Sequence, residues 1–276
     1  MVEEFNEQLR RPGGWVMSIN GYGWLPRNPY RWKGVDAGPS GVLVYDYGWP
    51  AGGASESNVA AQWLFDEGSG NIVDEVGAVS LAATGSPTYS YNTSAYSSDM
   101  AVGINVGAIN TFFGKAADTA LDLDQNDAVM EWVGKMDSTG TPTLLYPFDM
   151  TLSADSSRGY LVFYYPGLNY FRISLKADDD TSHAVDFTVL SAEVVDDKFH
   201  KYRMVFDRSS NVEFFIDGVS KGTGSLGPLI GKDVKCHNVK VFTREGAGSY
   251  YWKGALTELR FTVGNTTNNS GGKGGG

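Results

Sequence analysis

Residues 196–226 read DDKFHKYRMVFDRSSNVEFFIDGVSKGTGSL, and these 31 residues decide the fold class. Tyr202, Met204 and Phe206 fall on one face of an extended segment, with Lys201 and Arg203 on the other. Asp207-Arg208-Ser209-Ser210-Asn211 supplies turn chemistry, and Val212, Phe214 and Ile216 alternate along the next segment. Asp217-Gly218 then closes a two-residue loop into a third. Period-two alternation with Asp-Gly between apolar runs is the strongest short hairpin signal a sequence offers. The stretch predicts a three-stranded antiparallel meander.

Outward from it, the same pattern fills residues 58–264. Strand-like runs fall at 59–65, 129–135, 144–150, 160–165, 170–176, 184–190, 239–243 and 255–263. Turn residues separate them at short spacing, which suits a sandwich or barrel. The chain has 276 residues, enough to bury a large core. Its 35 glycines and 13% aromatic content suit strands and turns better than helices. No repeat of solenoid or propeller length is present.

Residues 1–57 differ in kind. They hold Trp15, Trp24, Trp32 and Trp49, four of the seven tryptophans, together with Pro12, Pro26, Pro29, Pro39 and Pro50. Such a density of Pro and Gly prevents long helices or central strands. Disordered linkers, however, are poor in aromatics, so this arm is expected to pack on something. Its own domain and a neighbouring subunit both remain open as that surface, with the four tryptophans as candidate partner-binding residues. Ala51-Gly-Gly-Ala-Ser-Glu-Ser57 reads as a hinge, and residues 265–276 as a flexible Gly-rich tail.

The net charge of −10 and pI near 4.8 argue against nucleic acid and against an anionic membrane surface as partners. Cys236 is the only cysteine, so no intrachain disulfide is possible, and it reads as a small packed residue. No run approaches the length of an apolar membrane helix. The N-terminus is acidic where a signal peptide needs a positive segment, so no secretion signal is expected. On that basis the sequons at Asn92, Asn265 and Asn268 read as chance matches.

Candidate chemistry is sparse. Gly218-Val-Ser-Lys-Gly222 satisfies a hydrolase G-x-S-x-G pattern, but that motif needs a strand-to-helix elbow and here spans a hairpin. Gly222-Thr-Gly-Ser-Leu-Gly227 satisfies a dinucleotide fingerprint, with Pro228 where a helix should start. His183, His200 and His237 show no ligand spacing, and His200 is expected to pack at its strand start. Asp122-Leu-Asp124-Gln-Asn126 is similar to the start of an EF-hand loop. Asp127 replaces its glycine and Val133 its final glutamate, so a solvated turn is expected. Asp178-Asp179-Asp180 reads as a charged hairpin tip. A rim Ca²⁺ site using Asp66, Asp207 or Asp178 is chemically open but has no supporting motif. No cofactor, metal or catalytic residue is expected.

The ordered landmarks resemble the laminin-G-like branch of the concanavalin A-like lectin/glucanase jelly rolls. Ala61-Gln-Trp-Leu-Phe-Asp-Glu-Gly-Ser-Gly-Asn71 is similar to that family's opening strand and turn. The segment from Leu121 to Val133 is similar to its LDL-to-AWV strand pair. Asp197-Lys-Phe-His200, Val205-Phe206-Asp207 and Phe215-Ile216-Asp217-Gly218 are similar to its central meander. Tyr250-Tyr-Trp-Lys-Gly-Ala-Leu-Thr-Glu-Leu-Arg260 is similar to its closing strand. The resemblance covers residues 59–263 and implies two antiparallel sheets packed face to face. It implies glycan or protein binding, sometimes through Ca²⁺, with glycosidases among the relatives. Those glucanases carry a Glu-x-Asp-x-Glu strand; here Glu131, Glu193 and Glu213 are each followed by apolar pairs, which argues against an enzyme of that type.

Two functions of different class follow. The first expectation is a structural or decoration protein of a bacteriophage particle, a virion component that contacts other virion proteins and further copies of itself through its arm. An extracellular-type jelly roll without secretion signal or disulfide motivates it. The alternative is a lectin-like adhesion module, on a virion or secreted, that binds host-surface glycans. A glycoside hydrolase ranks last.

Overall fold

The computed structural model describes residues 35–38, 41–44, 59–65, 67–77, 79–91, 100–104, 111–140, 143–152, 158–244 and 250–264. The chain divides into two compact units, Met1–Ala51 and Gly52–Gly276. In the first, β1 (Val35–Gly38) and β2 (Gly41–Val44) form an antiparallel hairpin with Val35 opposite Val44. Trp15, Trp24, Trp32 and Trp49 lie outside the described residues.

The second unit is an all-β sandwich. Its strands are β3 (Val59–Trp63), β4 (Ala82–Thr84), β5 (Thr88–Tyr91), β6 (Met100–Ile104), β7 (Phe112–Ala116), β8 (Ala128–Met136), β9 (Leu145–Asp149) and β10 (Gly159–Tyr165). They continue with β11 (Tyr170–Lys176), β12 (Ser182–Thr188), β13 (Phe199–Asp207), β14 (Asn211–Ile216), β15 (Val219–Ser225), β16 (Asn238–Val241) and β17 (Gly254–Val263). One turn of helix, α1 (Ser191–Val194), links β12 to β13. One sheet runs β12-β11-β10-β9-β16-β7-β4; the other runs β15-β14-β13-β8-β17-β6-β5, with β3 also paired to β17. All of these pairings are antiparallel, as the jelly-roll expectation requires.

The 196–226 meander folds as its alternation dictates. Tyr202, Met204 and Phe206 of β13, and Val212, Phe214 and Ile216 of β14, all point into the core. They meet Trp132 of β8, which lies between the sheets. Its ring stacks on Tyr202 at 5.0 Å and meets Phe148 and Phe171 of the opposite sheet edge-on and tilted. Each such side chain stabilises the fold by about 1.5–3 kcal/mol when taken out of water.

Asp207 closes the β13–β14 turn by accepting from the Ser209 amide and from the hydroxyls of Ser209 and Ser210. Arg208, read from sequence as one more turn residue, is instead buried at 2% exposure. Its guanidinium donates to the carbonyls of Asp124, Leu229 and Lys232, and its amide donates to Asp127 Oδ1. The Asp122–Asn126 segment is correspondingly less solvated than its sequence suggests. Leu121 and Leu123 are core residues, and Asp122 accepts from the Cys236 amide. A guanidinium hydrogen-bonded to backbone carbonyls, with Asp124, Asp127 and Asp233 nearby, ties these loops together.

Gly254 opens β17 with φ +138, and a β-carbon there would run into the Lys135 carbonyl of β8. The close approach lets β17 pair with β8, β6 and β3 along its length.

Candidate functional site

In an antiparallel sandwich the outward positions of a strand are ordinarily polar. β10 departs from this. Its sequence GYLVFYY sends Tyr160, Val162 and Tyr164 into the core, and also places Leu161, Phe163 and Tyr165 on the outer face. Leu161 and Phe163 form, with Tyr146 of β9, an apolar cluster separate from the main core. Leu144, Tyr165, Tyr170 and Tyr250 pack around it half-buried.

These rings form a connected strip. Tyr250 lies 5.9 Å from Tyr146, Tyr146 lies 5.2 Å from Phe163, and Phe163 lies 6.3 Å from Tyr170. Tyr165 meets Tyr170 edge-on at 5.7 Å. Register explains the order: Tyr165 pairs with Tyr170 and Phe163 with Arg172 across β10 and β11. Arg172 then pairs with Asp186 across β11 and β12. The Arg172 guanidinium sits over the Tyr170 ring at 5.0 Å and near that of Phe163 at 5.9 Å. Its Nε and Nη2 donate to the two Asp186 oxygens at 2.6 and 2.7 Å. Burial pushes the Tyr146 hydroxyl up to about 12, against the opposing influence of Arg244, with which it hydrogen-bonds. Planar rings bordered by fixed donors and acceptors are the chemistry that stacks on a sugar face and reads its hydroxyls.

The outer face of the other sheet is charged. Glu131 of β8 stands directly between Arg203 of β13 and Arg260 of β17. Burial raises its pKa to about 7, Glu258 adds to this, and Lys201, Arg203 and Arg260 oppose it. The outward positions 129, 131, 133 and 135 of this strand carry Val, Glu, Val and Lys, a single acid where a glucanase strand carries a set. Glu258, on the neighbouring strand, accepts from Gln62.

The other candidates resolve into structural roles. Gly218–Gly222 of the hydrolase-like pattern begins at the β14–β15 turn and runs along β15, where the Ser220 hydroxyl donates to Glu213. The dinucleotide-like glycines continue along the same strand. His200 Nδ1 lies 2.7 Å from Asp217 Oδ2, and its Nε2 lies 3.0 Å from Asp196 Oδ1. Burial works against the charged ring, but the two carboxylates outweigh it and raise the His200 pKa. Sequence suggested packing for this residue; the structure shows an ionic clamp across two loops.

The Asp178–Asp180 run is the β11–β12 hairpin tip, and cations meet each member. Asp178 faces Lys235 and His237, Asp179 faces Lys232, and Asp180 faces Arg158 and Lys176. Asp207 is committed to its turn, and Asp66 lies outside the described residues. Among the described residues, no three His, Cys, Asp or Glu side chains are grouped to hold a metal ion. Cys236 is buried, and burial pushes its thiol up to about 12. Among them, too, no helix is long and apolar enough to cross a membrane.

The family model for the concanavalin A-like lectin/glucanases superfamily, in its laminin G form, matches residues 116–265. No curated protein matches the chain in sequence. Among solved structures, the chain is similar to the binding domain of Paraclostridial Mosquitocidal Protein 1, with TM-score 0.54, 8% identity, and coverage of 75% of this chain and 48% of that one. It is similar to a botulinum neurotoxin type C structure whose cell entry depends on two ganglioside molecules, with TM-score 0.54, 12% identity and coverage of 75% and 48%. A third is the binding domain of botulinum neurotoxin DC in complex with rat synaptotagmin II, with TM-score 0.52, 10% identity and the same coverage of 75% and 48%. The chain spans about half the length of the binding domains it matches, and at these identities the likeness is one of fold.

Proposed function

This chain belongs to the concanavalin A-like lectin/glucanases superfamily, and from that premise we propose that it is a non-catalytic carbohydrate-binding module. The observation that carries the reading is the aromatic strip on the outer face of the β12-to-β4 sheet, bordered by the Arg172–Asp186 pair. Half-buried Tyr165, Tyr170 and Tyr250 offer ring area to a sugar face at little conformational cost, since the buried Tyr146 and Phe163 beneath already hold them in place. The fold also matches receptor-binding domains, one of which engages gangliosides. The single acid on the outward face of β8 weighs against a glucanase mechanism in this chain.

The particle-decoration reading drew on the jelly roll, on the expected lack of a secretion signal and disulfide, and on the tryptophans of residues 1–57, which lie outside the described residues. The solved structures of similar fold are binding domains and favour the glycan reading over it. Host-surface glycans are the partner class that the aromatic strip fits. A glycan array probed with the full chain tests this. Binding that is lost in Tyr165→Ala and Tyr170→Ala is the expected result; silence across the array, or binding untouched by both substitutions, overturns it.

A further inference from the structure

The aromatic strip carries more than a class of ligand. Its long axis runs across the strands, from Asp186 on β12 through Arg172 and Phe163 to Tyr146 on β9 and Tyr250 beyond. At the ~4.8 Å spacing of neighbouring strands, β12 to β9 spans about 15 Å. The 5.9 Å step to Tyr250 takes the strip to about 20 Å, the length of roughly four pyranose units at about 5 Å each. Thr188, Tyr170 and Tyr165 form a second row beside the first by direct cross-strand pairing. Phe163 and Tyr146 are buried, so the ring surface open to a ligand is that of half-buried Tyr165, Tyr170 and Tyr250, set along this line.

The two guanidiniums at the strip are already engaged. The Arg172 fork is filled by the two Asp186 oxygens. The other guanidinium at the strip, Arg244, is engaged by the Tyr146 hydroxyl. A ligand carboxylate seeking Arg172 would have to displace Asp186 and then lie beside it, two like charges on one cation. The intact pair is a neutral donor–acceptor couple, with side chains 35% and 44% exposed, so its outer edge is open to hydroxyls.

We infer that the ligand is an uncharged, extended oligosaccharide lying across β9 to β12, and that the Arg172–Asp186 pair excludes acidic sugars. The inference rests on the glycan reading above and narrows it. Asp186 thereby becomes a specificity-determining residue, since its carboxylate is what occupies the arginine.

Isothermal titration of the full chain with neutral hexose oligosaccharides, from disaccharide to hexasaccharide, tests the first half. Affinity is expected to climb with length and level off near four units. Sialylated or uronate-bearing counterparts are expected to bind at least tenfold more weakly. Asp186→Asn frees Arg172, so the same titrations should show acidic glycans gaining and neutral ones losing affinity, with the circular dichroism unchanged. Tighter binding of acidic glycans to the native chain, a disaccharide as good as the hexasaccharide, or no change of preference in Asp186→Asn would overturn the inference while leaving glycan recognition intact. Binding of none of these oligosaccharides, with silence on the array, would remove the glycan reading itself.

Discussion

The Arg208 guanidinium donates to the Asp124 carbonyl across 84 residues of chain, at 2.8 Å from Nη2 and 3.2 Å from Nε. Burial lowers the Arg208 pKa, and the nearby Asp233, Asp124 and Asp127 oppose that shift. A buried charge held by carbonyls is costly to make and worse to break, because truncation leaves several acceptors without donors. Arg208→Ala is expected to lower unfolding free energy by about 2–4 kcal/mol, read as a drop in urea midpoint with unchanged slope. Arg208→Lys, which cannot span three carbonyls with one ammonium, should recover only part of the loss.

Tyr170 is half-buried and contributes ring area to the outer face, not to the main core. Tyr170→Ala should therefore cost less than about 1.5 kcal/mol of stability, the range for one exposed ring contact. Glycan affinity should fall at least tenfold, about 1.4 kcal/mol or more. Phe171, one residue along, points into the core and lies tilted against the Tyr164 ring at 4.7 Å. Phe171→Ala should reverse the pattern, with a loss of about 3–5 kcal/mol in stability.

Buried Glu131 and half-buried His200 make stability fall as pH rises, in different windows. The folded pKa of Glu131 is raised to about 7 by burial, so its contribution is full below the ordinary glutamate range and is lost as pH climbs through 7. At ~1.4 kcal/mol per pKa unit this is on the order of 3 kcal/mol. Glu131→Gln should flatten the stability profile between pH 5 and 7.5.

The clamp on His200 also holds its pKa above the usual value, so its contribution is full below about pH 6.5 and disappears as pH rises through the raised pKa. Its partners Asp196 and Asp217 are shifted the other way: burial opposes their ionisation, but hydrogen bonds, including those from His200, lower both. Their contribution is lost as pH falls through the carboxylate range. The difference in stability between the native chain and His200→Gln should thus peak in mildly acidic solution and shrink by pH 8. A difference that grows with pH would refute the clamp.

Gly218 and Gly254 both have positive φ, +79 and +138, but only one is crowded. A β-carbon at Gly218 meets nothing within 4 Å. Gly218→Ala should cost about 1–2 kcal/mol for the backbone strain alone. At Gly254 the added atom collides with the β8 backbone, so Gly254→Ala should separate β17 from β8 and unfold the domain at ambient temperature. Thermal melts of the two variants distinguish strain from collision.

The fold was legible wherever strands alternate. Tyr202, Met204 and Phe206 announce a buried face because every second side chain shares a side. The strands Ala82–Thr84, Thr88–Tyr91 and Met100–Ile104 escaped, since three to five small or mixed residues show no period long enough to see. Arg208 escaped for a different reason. Its neighbours Asp207, Ser209 and Ser210 do form the turn, and nothing local says that the arginine points inward to carbonyls more than 20 and 80 residues away.

The aromatic strip left a readable signal in β10. GYLVFYY is apolar at both parities, which an antiparallel strand with one wet face does not need. What no local pattern could reveal was its junction with Tyr146 and Tyr250, because that depends on which strands lie side by side. The His200 clamp was hidden likewise, since Asp217 belongs to a turn whose register with β13 decides the contact.

The pairing of β17 with both β8 and β3 also sets the order of events during synthesis. Leu259 faces Trp63 and Arg260 faces Gln62, partners made nearly 200 residues apart. On the ribosome β3 emerges long before β17, and the strand edge that β17 pairs with stays open until that last strand appears. Long-range closure of this kind is slow and leaves unpaired edges exposed while it waits. Truncation within β17 should therefore yield an aggregating chain in place of a shorter folded one, and prolonged translation should increase the chain's dependence on chaperones.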